Sequence, residues 1–415
     1  MIGLVDGNNF FVSCERVIQP SLRGKPVAVL SSNDGCCVSR SNEFKALGIP
    51  MGTPYFQLKD REASGELHFR SSNYELYGDM SRRIVSILRD VSVEVEQYSI
   101  DEAFIHPPTT VYDRLESYGA ALRAKVLKWT GIPCGVGFAP TKTLAKIANH
   151  IGKKRPGGVF VMPDDPTPIL RDLPVGEVWG IGRQLGAKLR GRGILTAEQF
   201  RDLSESELRS IGSVLTVRTA LELRGTPCTD DREYDADPDS VTCSRSFGEP
   251  VTTAEALAES VASFAAQAAV KLRKHALLAA GCNIYAQLGT ACESSWTERT
   301  VVFDEPTDAT NVILGAIRQE VGALFVPGAR YRKSGVIFFG LEKAGAARQG
   351  DLFSESAPLQ SSALYRIVDG LNARYGRTAV FSAAEGLEKN CKWKMRRERL
   401  SPRATTQCNE LIVVR

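Results

Sequence analysis

No stretch of this 415-residue sequence approaches the roughly 18 consecutive apolar residues that a membrane-spanning helix requires, and no basic, apolar leader precedes the strand-like opening MIGLVDG. A cytoplasmic protein with no membrane contact is therefore expected. Disulfide and zinc frameworks are missing too. The ten cysteines are scattered, Cys36 and Cys37 are adjacent, and no C-x-x-C pair occurs. A chain this long, 43% hydrophobic, needs no staples, so reduced and mostly buried thiols are expected. Four histidines form no hydrolytic constellation, and no internal repeat is visible. A dominant charge of one sign is also lacking. Lys and Arg number 52 against 48 Asp and Glu, a net charge of +4, so total charge does not mark a nucleic-acid binder and distribution carries the signal. Thr141–Gly158 holds Lys142, Lys146, Lys153, Lys154 and Arg155 with no acid, and Lys389–Arg403 holds seven Lys or Arg against the single Glu398. Such runs are ordinarily solvated faces; two in one chain favour a polyanionic partner.

What is present is alternation. IGLVD and KPVAVLSS read as short strands, and Ser41–Leu47, closed by Gly48, as a helix. VSVEVEQYSI has the period of a half-buried strand, Leu115–Thr130 reads as a helix, CGVGFA as a strand and Lys142–Ile151 as a helix. The first ~165 residues thus form an α/β or α+β unit. The turn-rich MPDDPTP marks a boundary. Residues 169–228 read as glycine-broken short helices, and PCTDDREYDADPDS as an acidic linker. A second mixed domain comes next: a helix over Glu255–His275, strands CNIYAQL and RTVVF, a helix over Asn311–Leu324 and the strand SGVIFFGL. After Glu342 the composition turns to Gly, Ala, Ser and Pro, as expected of a poorly ordered segment, until helical patterning resumes near Ser361.

The segment QYSIDEAFI places Asp101 and Glu102 within an apolar run that reads as a buried strand, where adjacent carboxylates are costly without a partner. Asp6 also ends a buried strand. Two such strand ends in one compact unit can converge, giving three oxygen-donor side chains of the kind that suits Mg²⁺. A pair of such ions aligns nucleophile and leaving group in phosphoryl transfer. A solvated turn, an Arg or Lys partner or a helix cap accounts for the same spacing, and these readings stay open. Lys45 and Lys153 lie on helices and suit β- and γ-phosphates as point charges, or are surface lysines. Phe10 and Phe11 come soon after Asp6. One suits the core, and a ring near the metal would pack on a sugar and exclude a 2′-hydroxyl. VWGIGRQLGAKLRGRGI has the look of a helix-hairpin-helix. Gly180 and Gly182 flank its tight turn, backbone N–H groups beyond it suit a phosphate, and Arg183 adds charge. RQGDLF, within the Gly- and Ala-rich segment, reads as a docking peptide, because an exposed Leu352-Phe353 is otherwise a liability.

Together LVDGNNFFVSCE, LSSNDGCCVSRSNEFKALGIPMG, SSNYELYGDMS, YSIDEAF, TKTLAKIANH, EVWGIG, CSRSFGE and LSPRATT resemble the Y-family DNA polymerases, and the UmuC type among them. The resemblance runs nearly end to end. It implies an α+β, multi-domain right hand: a palm over 1–168 with fingers inserted at about 22–78, a helical thumb over 169–228, a linker over 229–240, a little finger over 241–343 and a C-terminal tail over 344–415. It implies error-prone copying of damaged template in an SOS-type response, in a bacterial, nucleoid-associated setting. Asp6, Asp101 and Glu102 match the carboxylates that bind two Mg²⁺. Gly7 departs from relatives with a phenylalanine there, but the family's metal contact is a backbone carbonyl. Phe11, beside Phe10, matches the sugar gate. Lys45, Lys153 and Ser39 match triphosphate contacts, and Asn42 stands where many relatives carry a tyrosine. Arg245 in CSRSFGE is expected to contact DNA. Gln349, Asp351, Leu352 and Phe353 resemble the sliding-clamp peptide. The implied partners are primer–template DNA, dNTP, the clamp, a UmuD-type dimer and a RecA filament. Two alternatives are a clamp-binding scaffold of the same fold without catalysis, against which the three retained carboxylates argue, and a Mg²⁺-dependent nuclease.

Overall fold

The computed structural model describes residues 1–228, 237–289, 294–345, 360–376, 379–387, 391, 393–405 and 407–411. The chain divides into two compact units, Met1–Asp235 with Glu398–Arg415, and Ala236–Arg397. The residues read as a separate tail are thus shared between both units.

The first unit opens with β1 (Ile2–Gly7) and α1 (Phe10–Ile18). Next comes a small three-stranded sheet, built from β2 (Val27–Leu30), β3 (Cys37–Arg40) and, beyond α2 (Asn42–Ala46) and α3 (Lys59–Ala63), β4 (His68–Ser71). Its order is β3-β2-β4, with β4 parallel to β2, over a core containing Phe44, Leu58 and Phe69. α4 (Tyr74–Arg89) leads back to β5 (Glu94–Gln97), β6 (Glu102–His106), α5 (Leu115–Thr130), β7 (Cys134–Ala139), α6 (Lys142–Lys154) and β8 (Val159–Val161). These strands and β1 make a five-stranded sheet, β5-β6-β1-β7-β8. Short helices complete the unit: α7 (Thr167–Asp172), α8 (Arg183–Gly191), α9 (Ala197–Arg201), α10 (Glu205–Ile211) and α11 (Val214–Leu223).

The second unit is a four-stranded antiparallel sheet, ordered β11-β10-β12-β9, covered by helices. Its elements are β9 (Val241–Val251), α12 (Ala254–Lys274), β10 (Leu277–Gly289), β11 (Ser294–Thr307), α13 (Thr310–Glu320), β12 (Tyr331–Lys343) and α14 (Gln360–Tyr375). Alternating burial along β10 puts Ala279, Cys282, Ile284 and Ala286 in its core.

Two expectations change. VSVEVEQYSI is not one strand. The chain turns back after Gln97 into a hairpin in which Gln97 faces Ala103, because the Ser99 hydroxyl accepts the amides of Asp101 (3.2 Å) and Glu102 (3.0 Å). The helix expected to end at Ile151 continues to Lys154, since Gly152 still packs against β7 and β8. It stops where Pro156 forces Arg155 into extended backbone (φ −94°, ψ 148°). The segment read as poorly ordered lies largely outside the described residues. Cys14, Cys37, Cys134, Cys243 and Cys282 are buried.

Candidate active site

β1 is the centre of the five-stranded sheet because Ile2, Leu4 and Val5 are buried, and its polar end emerges where the hydrophobic run stops. In register, Asp6 lies opposite Glu102 on β6 and Gly135 on β7. The Gly7 amide donates to the Asp101 carbonyl at 2.9 Å. The Ser99 turn ahead of β6 holds Asp101 itself, with the Ser99 hydroxyl donating to Asp101 Oδ1 at 2.7 Å. The two acids in an apolar run are thereby accounted for: they stand at a turn and a strand start, half-buried, beside the carboxylate of β1. Among the described residues, no set of three His, Cys, Asp or Glu side chains is gathered into a ligand shell.

Lysines from α6 reach this end of the sheet. Lys153 Nζ lies 2.5 Å from Asp6 Oδ2 and Lys146 Nζ 2.8 Å from Glu102 Oε2. Lys153 reaches Asp6 across Gly135, where a Cβ would stand 2.7 Å from Lys153 Cγ. Lys146 sits among the rings of Tyr98, Trp179 and Phe104, with Nζ 4.4, 5.1 and 5.9 Å from their centroids. Even so, Asp6 is under-neutralised. Burial is the chief cause, Glu102 and Asp101 add repulsion, and together they outweigh Lys153 and raise its pKa from the ordinary 3.8 to about 6. Hard oxygen donors and excess negative charge on a buried carboxyl are what a divalent cation relieves, so the chemistry of these residues suits such an ion. An open cleft of about 910 Å³ adjoins them, lined among others by Asp6, Glu102, Lys146, His150, Lys153 and Trp179.

The start of α1 and the small sheet bring further groups near. Asn9, at φ 47°, begins α1; its amide donates to Asn42 Oδ1 at 3.0 Å, and its Oδ1 accepts from Lys45 Nζ at 2.6 Å. Lys45 has its pKa lowered, first by burial and then by Arg40 and Lys153, with Asp6 opposing. A cationic group thus faces the carboxylates. Sequence reasoning missed Arg40, whose Nε is buried without a hydrogen-bond partner among the described residues, and Asn9. Both stand inside motifs that carry the family resemblance, Arg40 in VSRSNEFKALG, and only the fold sets them beside Lys45. Ser39 is buried on β3, and Phe10 is core, 3% exposed. Phe11 is half-buried and stacked on Tyr77, centroids 4.5 Å apart at 12°.

Gly180 takes φ 88°, and Gly182 caps α8, whose first residue, Arg183, is exposed. Gly182 and Arg183 share a cleft with Gly212 and Ser213, the latter capping α11. A second helix start thus faces the same opening, and SIGSVLTVR was the overlooked signal. Arg245 lies on β9 in the second unit, its guanidinium donating to the Ser244 carbonyl at 2.7 Å. Gln349, Asp351, Leu352 and Phe353 lie outside the described residues. The basic runs are partly consumed internally: Lys142 pairs with Glu96, Arg396 with Glu249, Arg399 with Glu62 and Arg403 with Glu410.

The fold is that of the Y-family DNA polymerases. A solved Y-family chimera of Dbh and Dpo4 covers 83% of this chain and all of its own at a TM-score of 0.64 and 21% identity. An insertion ternary complex of Dbh DNA polymerase covers 82% of this chain and 98% of its own at 0.52. The impB/mucB/samB family model matches residues 5–150, its C-terminal domain model 238–352, and a domain of unknown function, DUF4113, 362–414. Protein UmuC of Salmonella typhimurium is 40% identical over the full length of both chains, and Protein MucB of Escherichia coli 35% identical over 98% of this chain and 97% of its own. DNA polymerase IV 1 of Bacillus subtilis is 28% identical over 94% of each. The chain belongs to the impB/mucB/samB family, the UmuC type of Y-family DNA polymerase. Among the described residues no helix is long and apolar enough to cross a membrane.

Proposed function

We propose that this chain is an error-prone translesion DNA polymerase, transferring a nucleotide from dNTP to a primer 3′-hydroxyl in an SOS-type response. The observation that carries the reading is the meeting of Asp6, Asp101 and Glu102 at one end of the β1–β6 pair, with Lys45, Arg40 and Lys153 nearby. In the transfer the primer oxygen bonds to the α-phosphorus, the bond to the bridging oxygen of pyrophosphate breaks, and the hydroxyl proton leaves. Asp6, Asp101, Glu102 and the Gly7 carbonyl would hold two Mg²⁺, whose contribution when bound is to stabilise the attacking and leaving oxygens. Lys146 pairs with Glu102 and Lys153 with Asp6, which orients these carboxylates beforehand, and Lys153 then turns to phosphate. Lys45, Ser39 and Asn42 bind the triphosphate, and Phe11, braced by Tyr77, excludes a 2′-hydroxyl.

The right-hand division is part of this reading. Residues 1–168 are the palm with fingers at about 22–78, 169–228 the thumb, 241–343 the little finger. Fingers rich in Gly, Ser and Cys over Ser31–Ser41 press loosely on the nascent pair, which favours damaged templates at the expense of fidelity. Gly180, Gly182, Arg183 and Arg245 contact the DNA backbone without reading sequence. Gln349, Asp351, Leu352 and Phe353 dock on the sliding clamp. The UmuC resemblance supports a UmuD-type dimer and a RecA filament as partners, and a cytoplasmic, nucleoid-associated setting. The scaffold alternative is disfavoured by the three carboxylates. Primer extension on damaged template with Mg²⁺, clamp, UmuD-type partner and RecA tests the proposal; an Asp101→Ala chain that extends as well as the parent refutes the metal role.

A further inference from the structure

Residues from Glu398 onward belong to the first unit, and Glu398–Pro402 are bonded into it. Arg399 N donates to Ser71 Oγ at 2.9 Å, and the Ser71 amide donates to the Arg399 carbonyl at 3.0 Å, at the free edge of β4. The Arg399 guanidinium pairs with Glu62 at 2.9 Å and lies 4.4 Å from the centre of the Tyr55 ring. These contacts anchor the residues just beyond Arg399. Ser401 is buried between α1 and α4. Its hydroxyl donates to Glu15 Oε1 at 3.1 Å and accepts from Asn73 Nδ2 at 2.9 Å, and its carbonyl accepts from the same amide at 3.1 Å.

Both partners hold helices that matter. Glu15 belongs to α1 and also accepts from the Tyr77 hydroxyl at 2.7 Å. Asn73 caps α4, its Oδ1 accepting from the Leu76 amide at 3.3 Å. Glu15 and Asn73 are fully buried, and Glu15 Oε2 has no hydrogen-bond partner among the described residues. Loss of one donor to Oε1 is therefore not made good by water. α1 and α4 carry the stacked rings of Phe11 and Tyr77. The chain of contacts runs Ser401, Glu15, Tyr77, Phe11.

We propose that Glu398–Pro402 is a strap that positions Phe11: by fastening α1 to α4 through Glu15 and Asn73, it sets how strictly the site separates deoxyribonucleotides from ribonucleotides. Ser401 is a positioning residue, and part of the segment matched as DUF4113 gains a role. The inference rests on Phe11 being the sugar gate.

Two readouts on the full-length chain test it. Hydrogen exchange of the Ser13 and Tyr77 amides, bonded to the Asn9 and Asn73 carbonyls, needs no catalysis. In Ser401→Ala both are expected to exchange about tenfold faster, as loss of one hydrogen bond to a buried carboxyl implies. In primer extension the ratio of kcat/KM for dNTP over the matching rNTP is expected to fall about fivefold on the same grounds, with Ser401→Thr restoring it. In a Phe11→Ala background, Ser401→Ala should lower the ratio no further. Unchanged exchange at both helix starts overturns the strap. Faster exchange with an unmoved sugar ratio leaves only a structural brace and overturns the proposal. If the parent chain with its partners inserts neither sugar, the polymerase reading fails and takes the gate with it, while the exchange data still report whether the strap holds.

Discussion

Asp6 concentrates the electrostatics of the site in one carboxyl. Its pKa is raised to about 6 in the folded, metal-free chain from an ordinary 3.8. The native state therefore holds a proton that the unfolded chain releases between these values, so stability falls as pH rises through the window. At roughly 1.4 kcal/mol per pH unit the loss is about 3 kcal/mol above pH 6. Denaturant unfolding in EDTA at pH 4 and pH 7 checks this: Asp6→Asn should remove most of that difference, and an equal pH dependence in both proteins contradicts it. The same proton competes with a cation, so Mg²⁺ should stabilise the parent chain more at pH 7.5 than at pH 5.5. Convergence of the three carboxylates was one of the readings that residue type and position left open, and the family resemblance selected it. Their lysine partners were not all legible, because Lys146 and Glu102 are 44 residues apart and meet only through the packing of α6 on β1 and β7.

At the scale of elements, the site depends on how closely α6 lies on the sheet. A Cβ at Gly137 would stand 2.1 Å from the Asn149 backbone nitrogen. Backbone cannot yield as a side chain does, so Gly137→Ala should destabilise the chain by about 3 kcal/mol or more and displace Lys146 and Lys153 together. Thermal unfolding measures the first and primer extension the second; an unchanged Tm contradicts the packing. Long periodic elements were legible in sequence: the helix over Leu115–Thr130 and the strand CGVGFA fall where patterning puts them. The Ser99 turn was not, since apolar continuity through YSIDEAFI hid a hydroxyl that takes two backbone amides. Nor was the return of Arg399 and Ser401 to β4 and α4, because no local periodicity records a partner more than 300 residues away.

For the whole molecule, a net charge of +4 hides local cationic surfaces, and these should govern DNA affinity. If the α8 start binds a backbone phosphate through Arg183, Arg183→Ala should weaken primer–template binding uniformly across sequences. It should also reduce the slope of log K against log salt by about 0.9. A fluorescence-anisotropy salt titration reads both, and a sequence-dependent loss would point elsewhere. The most direct measurement is nucleotide insertion on primer–template with Mg²⁺ and the clamp, UmuD-type and RecA partners, comparing the parent chain with Asp6→Asn and Asp101→Ala. Insertion by the parent and a loss of about a thousandfold or more in each variant are expected. Variants that insert at the parental rate would contradict this.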